Sequence, residues 1–262
     1  RVLNDRLVGE GVPAVNFLRL FRKELRGSSA VAWPLVAGIV LLDALLRSRM
    51  GIWREGLPAA VSAAASLVVA AWPIGALLYS MQAEWATNSV QLLLSLPVRG
   101  ATVCAAKLAS VVAWSYVLAN ARGLSFWLFF GRPDPRLSAR VPISVAVNAG
   151  LQIAAVWTAF MVTVLVLAQC SFVVGRTVPR WWGLTAAAAF IVQGWLLVRL
   201  VPVMSRLFQW LPDLRVGTWS SSADVVILDT LTLDSGFLAA LAVMLGGFLV
   251  LGGLLLEGEM EV

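Results

Sequence analysis

Six long hydrophobic runs, separated by shorter polar stretches, dominate the pattern of this chain. Runs of about 20 apolar residues match a helix that crosses the ~30 Å hydrocarbon core of a bilayer. Strands of a membrane barrel need only about ten residues and alternate in polarity, unlike these runs. The pattern therefore predicts an all-α integral membrane protein with a single transmembrane domain over residues 1–262. The predicted spans cover about residues 28–46, 57–79, 101–130, 141–170, 181–203 and 236–256.

Two segments outside these runs have an amphipathic composition. In residues 12–26, leucine and valine alternate with arginine and lysine, which predicts a basic helix lying in the membrane interface and ending before the first span. Residues 204–235 hold the apolar patches LFQWL and VVIL among several acids and Pro212. We expect this segment to form short helices on the outer face of the membrane.

Residues 82–98 predict a short amphipathic helix after the second span. Asn88 can act as the N-cap with Gln91 three residues later, a near-match to a capping box, and Pro97 ends the helix. Glu84, Asn88, Gln91 and Ser95 share one side of the helical wheel, and leucines lie largely on the other. The helix is too short to cross a membrane, so we expect it at the cytoplasmic surface.

The composition supports a membrane protein and narrows its partners. Hydrophobic residues make up 60% of the chain and charged residues only 13%, while soluble domains are about 45–50% apolar. The net charge of +6 is scattered between the apolar runs, which argues against nucleic acid as a partner. We expect a multi-pass protein of the cell membrane, in a bacterium the cytoplasmic membrane. The basic N-terminal segment favours cytoplasmic termini.

Catalytic and metal-binding patterns are missing from the sequence. The chain has no G-x-x-x-x-G-K-[ST] phosphate-binding loop and no histidine, which excludes histidine-based triads and zinc sites of the usual kind. Its two cysteines, Cys104 and Cys170, lack a paired spacing and are interpreted as small buried hydrophobes. We therefore predict that the chain is not an enzyme and holds no cofactor of its own.

Polar residues inside the predicted spans are candidates for function. Asp43 has Arg47 at i+4, and we favour a surface ion pair between them over a functional role. Arg122 has two open interpretations, namely a side chain that extends to the head groups or one that lines a polar path. Asn148 and Gln152 share a helix face and could bond to a neighbouring helix or line the same path.

The segment after the second span resembles a motif of type 2 ATP-binding-cassette (ABC) exporter permeases. That family typically carries E-x-x-x-G-T/S-x-E-x-L-L-x-x-P-V/I-S/T-R followed by G-K-L. The corresponding residues here are Glu84, Asn88-Ser89, Gln91, Leu93-Leu94, Pro97-Val98-Arg99 and Lys107-Leu108. Three positions depart from the family pattern: Asn88-Ser89 replace the usual Gly-Thr or Gly-Ser, Gln91 stands where glutamate is common, and Ala106 stands where glycine commonly precedes the lysine. The basic N-terminal helix and the layout of six spans are similar to the same family.

The resemblance implies a coupling helix at residues 82–98 that docks on a separate ATPase subunit. The implied ATPase contacts are Glu84, Thr87, Asn88, Gln91, Ser95 and Arg99. The short basic loop with Arg176 and Arg180 would add a second contact. ATP and Mg would bind in the partner ATPase, and a second permease subunit, identical or related, would complete an exporter of amphipathic or hydrophobic substrates. The alternatives are a secondary transporter, a membrane scaffold or sensor, and an interfacial helix without a partner.

Overall fold

The computed structural model describes residues 12–50, 52–53, 57–86, 100–130, 143–212, 214–222 and 225–258. Six α-helices and two strands occupy most of these ranges. The helices are α1 (Val12–Ser48), α2 (Leu57–Ala86), α3 (Gly100–Phe130), α4 (Ile143–Arg176), α5 (Trp182–Ser205) and α6 (Ser235–Gly258). The strands are β1 (Leu214–Ser222) and β2 (Val225–Leu233).

Each of the six helices is long and apolar enough to cross a membrane, which confirms the predicted multi-pass architecture. The spanning portions run from 23 to 32 residues, so every one exceeds the roughly 20 residues that a crossing needs. Several are longer than a perpendicular crossing requires, as expected for helices that tilt or project beyond the hydrocarbon core.

The chain divides into two compact units. The first unit contains α1, α2, α3 and the end of α6 from Leu251 onward, and the second contains residues 133–250. Within the first unit, 56% of the α3 span is buried, against 22% for α1 and 17% for α2. Helix α3 is therefore the central element of the first unit, and α1 and α2 pack on it.

The last turns of α6 approach the start of α3 very closely. A Cβ atom added to Gly253 would lie 2.7 Å from the Cα atom of Ala101, and one added to Gly100 would lie 2.6 Å from the Gly253 carbonyl oxygen. Glycine on both helices thus permits backbone contact, the packing mode that small residues allow in membranes. The Gly100 N–H also donates a hydrogen bond of 2.6 Å to Glu257 Oε1, which caps the N-terminus of α3.

Helices α4 and α5 pack together in the second unit, and 61% of the α4 span is buried. Ser171 Oγ donates to Gln193 Oε1 at 3.3 Å between the two helices. Gly175 lies so close to α5 that an added Cβ would come within 2.7 Å of the Ala186 Cβ atom. The amide and the glycine together set the spacing of this helix pair.

The predicted break between the basic segment and the first span is wrong. The basic segment 12–26 and the first span form one continuous helix, and Trp114 Nε1 of α3 donates to the Leu25 carbonyl oxygen (3.0 Å) near the expected break. Gly123 does not interrupt α3, because the flanking Arg122 and Ser125 both bond to the same buried carboxylate of α1. Tertiary contacts of this kind override the local preference of glycine.

Within the segment 204–235, for which short helices are predicted, a 3-10 helix covers Arg206–Phe208, but the strands of a β-hairpin occupy Leu214–Ser222 and Val225–Leu233. Strands β1 and β2 are antiparallel, and their register runs from the Leu214–Leu233 pair to the Ser222–Val225 pair. Strand β2 has the sequence VVILDTLTL, rich in the β-branched residues that favour strands. The apolar patch VVIL suggests a helix, but pairing β2 with β1 satisfies the backbone hydrogen-bonding groups of both strands.

Candidate functional site

A buried ion pair joins α1 to α3 at one end of the first unit. Arg122 Nη1 donates to Asp43 Oδ2, and Ser125 Oγ donates to the same oxygen at 2.7 Å. Ser62 of α2 donates from its hydroxyl to Asp43 Oδ1 at 2.6 Å. The Asp43 side chain is completely buried, so these donors replace water as the partners of its charge. We call Asp43, Ser62, Ser66, Arg122 and Ser125 the Arg122 cluster.

The remaining donors of Arg122 point into α2. Its Nε atom donates to Ser66 Oγ at 2.9 Å, and Nη2 donates to the carbonyl and hydroxyl oxygens of Ser62. The guanidinium also lies 5.4 Å from the centre of the Phe126 ring. A buried charge is tolerated when its hydrogen-bonding capacity is met in this way, and the cluster ties together all three helices.

A second cluster joins the same three helices through Lys107 of α3. Its Nζ atom lies 2.9 Å from Glu84 Oε1 of α2 and 3.3 Å from Glu24 Oε1 of α1. The Lys107 side chain is only 4% exposed, and those of the two glutamates are 14% and 16% exposed. Two carboxylates therefore share one largely buried ammonium group. We call Glu24, Glu84 and Lys107 the Lys107 cluster.

The two clusters lie at opposite ends of the three-helix bundle. On α3, Lys107 precedes Arg122 by 15 residues, which corresponds to roughly 22 Å along a helix. On α1, Glu24 precedes Asp43 by 19 residues, or roughly 28 Å. These separations are close to the ~30 Å thickness of the hydrocarbon core. The two clusters therefore join the same three helices at two well-separated levels.

The predicted pairing of Asp43 with Arg47 is wrong. Asp43 bonds to Arg122 instead, and Arg47 Nη1 contacts Met50 Sδ at 2.8 Å. The interpretation of Arg122 as a side chain that reaches the head groups is also wrong, because that residue is only 6% exposed. A partner 79 positions away on another helix cannot be inferred from helical spacing. A role of Arg122 in a polar path stays a prediction.

Glu84 does not begin a separate helix. It lies in the last turn of α2, which extends to Ala86, and its carboxylate faces Lys107 rather than outward. Lys107 belongs to the same motif. The carboxylate at the start of the motif and the ammonium group near its end therefore form an ion pair. The other implied ATPase contacts, Thr87, Asn88, Gln91, Ser95 and Arg99, lie outside the described residues.

Arg176 and Arg180 occupy different environments near the end of α4. The Arg176 guanidinium lies 5.0 Å from the centre of the Phe172 ring and 4.8 Å from that of Trp182, so two aromatic faces hold it. Arg180 is exposed, in a 3-10 turn over Pro179–Trp181 that leads into α5. Their predicted role as a second ATPase contact stays a prediction. The side chains of Asn148 and Gln152 lie outside the described part of α4.

Sequence reasoning missed several residues of these clusters. The sequence patterns did not single out Glu24, Ser62, Ser66 or Ser125 as partners of buried charges, or Glu257 as the acceptor at the start of α3. The available signal was the presence of Lys107 seven residues into α3, where a lone cation within an apolar helix needs an anionic partner. The sequence did not show which carboxylates would meet it.

The two clusters link neighbouring helices through buried ion pairs. In the described residues, no group of three or more acidic or cysteine side chains could hold a metal ion. Both clusters place cations against carboxylates from neighbouring helices, an arrangement that fixes helix positions. Comparison with protein-family models, with curated proteins and with solved structures gave no match.

Proposed function

We propose that this chain is the permease subunit of an ABC exporter, which moves an amphipathic or hydrophobic substrate out of the cytoplasm. Separate ATPase subunits would supply the energy and would hold ATP and Mg. The proposal combines six membrane-spanning helices with the resemblance of residues 84–99, followed by Lys107-Leu108, to the coupling segment of such permeases. A second permease subunit, identical or related, would complete the transporter.

The observation that carries the proposal is the anchoring of both ends of residues 87–99. Glu84, three residues before this segment, is ion-paired to Lys107 of α3. Gly100, directly after it, donates to Glu257 of α6. Lys107 also holds Glu24 of α1. Any force applied to the segment would therefore reach several membrane helices at once.

Anchored ends suit a segment that transmits motion. A partner that closes on ATP can shift the permease between two conformations only if its contact differs in free energy between them. A flexible attachment could follow the partner by local motion alone and would leave the membrane helices where they are. Paired charges at low solvent exposure resist separation, so the helices would move with the segment. In this account the Lys107 cluster joins the docking segment to the bundle, and the Arg122 cluster holds the far ends of the same helices together.

One observation favours a secondary transporter as a second candidate. The ion pair of Asp43 and Arg122 is an intramembrane pair of ionisable groups, which often marks a proton or ion pathway. Serine hydroxyls bond to both members of the pair, as expected for a structural clamp. A transport assay separates the candidates: an exporter needs ATP and its ATPase, and a secondary transporter responds to dissipation of the ion gradient. A scaffold or sensor would transport nothing.

Purification from native membranes in a mild detergent tests the proposal. We expect an ATP-binding subunit to co-purify with the wild-type protein and with Asn88→Ser, because serine is an equally good N-cap. Asn88→Pro should lose the subunit while membrane expression is unchanged. The absence of an ATP-binding subunit from every preparation, or its equal retention by Asn88→Pro, would contradict the proposal.

A further inference from the structure

A cleft of about 690 Å³ opens between α1 and α2 in the first unit, with Lys107 of α3 in its lining. Small residues on both helices create the space. Gly27 and Gly75 both line the cleft, and a Cβ atom added to either would meet no atom within 4 Å. The volume lies within the range of about 300–1,000 Å³ that is typical of small-molecule sites. The cleft is therefore large enough for a ligand rather than for a few waters.

The lining changes from charged to apolar along the cleft. Glu24, Glu84 and Lys107 lie at one end, and Val31 and Trp72 lie farther along α1 and α2. On α2 the lining extends over 12 residues from Trp72 to Glu84, or roughly 18 Å. That length is close to one leaflet's share of the ~30 Å hydrocarbon core. The cleft thus has the polarity and the length expected for a membrane amphiphile with its head group at the Lys107 cluster.

The charges at the polar end select the head group. The carboxylates of Glu24 and Glu84 line this end beside the ammonium group of Lys107, so the site offers hydrogen-bond acceptors for a cationic group as well as a positive charge. Lys23 lines the same end and also borders an adjoining cavity of about 310 Å³. The other residues that line this second cavity are Leu18, Arg19, Arg22 and Arg26. An acidic site and a basic strip therefore lie side by side on α1, which suits a head group with both charges.

We propose that the cleft binds a zwitterionic phospholipid whose head group ends in a primary ammonium. The ammonium donates hydrogen bonds to Glu24 and Glu84, and the phosphate lies beside Lys23 and the arginines of the adjoining cavity. One acyl chain follows the apolar walls past Val31 and Trp72. A primary ammonium is favoured over a trimethylammonium because only the former has N–H donors for carboxylates. This inference goes beyond the exporter proposal and does not depend on an ATPase partner.

Native mass spectrometry of the full-length, delipidated protein tests this inference. The probes are phosphatidylethanolamine, phosphatidylcholine and phosphatidylglycerol with identical acyl chains. We expect phosphatidylethanolamine to bind about tenfold more tightly than either of the others, the effect of one lost charge-assisted hydrogen bond. Equal binding of all three lipids, or a preference for phosphatidylglycerol, would overturn the proposed head-group site.

Two glycine substitutions provide a matched pair for the chain site. Gly75→Leu fills the cleft, whereas Gly38→Leu adds the same side chain to a position of α1 outside the cleft that also has no atom within 4 Å. We expect Gly75→Leu to weaken phosphatidylethanolamine binding about tenfold, since the acyl chain loses its apolar contacts. Gly38→Leu should bind as the wild type does. Gly27→Leu blocks the same cleft from α1 and serves as the second occluding variant.

Glu24→Gln tests the head group separately from the chain. It should bring the affinities for phosphatidylethanolamine and phosphatidylglycerol close together without abolishing binding of either. Melting temperatures of all variants, measured in the same detergent, show whether each is folded. Retention of wild-type lipid affinity by both occluding variants would overturn the site. A preference for phosphatidylethanolamine that persists in Glu24→Gln would overturn the role assigned to the carboxylates.

Discussion

Lys107 and Arg122 lie on the same central helix and each binds a carboxylate of α1, Lys107 that of Glu24 and Arg122 that of Asp43. Both also bind α2, through Glu84 and through Ser62 and Ser66. The three helices are thus joined twice by the same kind of contact, once at each end of the bundle. Buried charges specify helix partners and register more sharply than apolar packing, because a mispaired charge is costly.

Arg122→Met should destabilise the protein by about 3–5 kcal/mol, because it leaves the buried Asp43 carboxylate without its cation. The melting temperature in detergent measures the effect. Asp43→Leu combined with Arg122→Met should recover most of the loss, since apolar residues often replace a buried ion pair without penalty. Arg199→Met is the control, because Arg199 is exposed and only lies over the Trp195 ring. Equal melting temperatures for Arg122→Met and Arg199→Met would contradict this account.

Lys107→Met should lower the melting temperature more than either Glu24→Gln or Glu84→Gln. The methionine removes the ammonium group that both carboxylates share, whereas each glutamine leaves Lys107 with one carboxylate. Thermal unfolding of the three single variants in one detergent gives the order. If Lys107→Met were the mildest of the three, the ammonium would not be the centre of the cluster.

Gly253→Ala should destabilise the protein, whereas Gly247→Ala on the same helix should not. The new methyl group at position 253 collides with the backbone of Ala101, and overpacking of this kind costs about 1–3 kcal/mol. A Cβ atom at position 247 meets no atom within 4 Å, so alanine there should be neutral or stabilise the helix by up to about 1 kcal/mol. Matching melting temperatures would argue against close packing of α6 on α3.

Gln193→Leu should weaken the packing of α4 and α5 modestly. It removes the acceptor of the Ser171 hydroxyl, and hydrogen bonds between membrane helices contribute about 0.6 kcal/mol on average. Protease sensitivity of the loop at residues 177–181 is the readout. Ser171→Ala combined with Gln193→Leu should be no worse than Gln193→Leu alone, because the two changes remove one interaction. Additive effects would show that Ser171 stabilises the protein independently of Gln193 and would contradict the assigned interaction.

Local pattern predicted the spans well, because length and hydropathy are properties of each segment by itself. The third span, expected at 101–130, is Gly100–Phe130 in the structure. Local pattern failed where the outcome depends on distant residues. Asp43 has a suitable partner four residues away in Arg47, but it bonds to Arg122 because α3 packs between α1 and α2. Its polar environment therefore comes from helix packing.

The candidate site was predicted only in part, because some of its residues are close in the sequence and others meet only through helix packing. The motif drew attention to Glu84 and Lys107, and the structure joins them at 2.9 Å. It did not indicate Glu24 or Glu257, which are 60 and 173 positions from Glu84 and meet the motif only through folding. The hairpin at Leu214–Leu233 was not predicted, because a short apolar run such as VVIL fits a surface helix as well as a strand and only its β-branched residues favour the strand.

Photo-crosslinking from position 91 tests the exporter proposal most directly. A photoreactive amino acid replaces Gln91, and the cells are irradiated before the membranes are solubilised. The account predicts one protein adduct whose partner binds ATP, with loss of that adduct in Asn88→Pro and retention in Asn88→Ser. Adducts with lipid alone, or labelling of position 91 by a membrane-impermeant reagent from outside the cell, would contradict it.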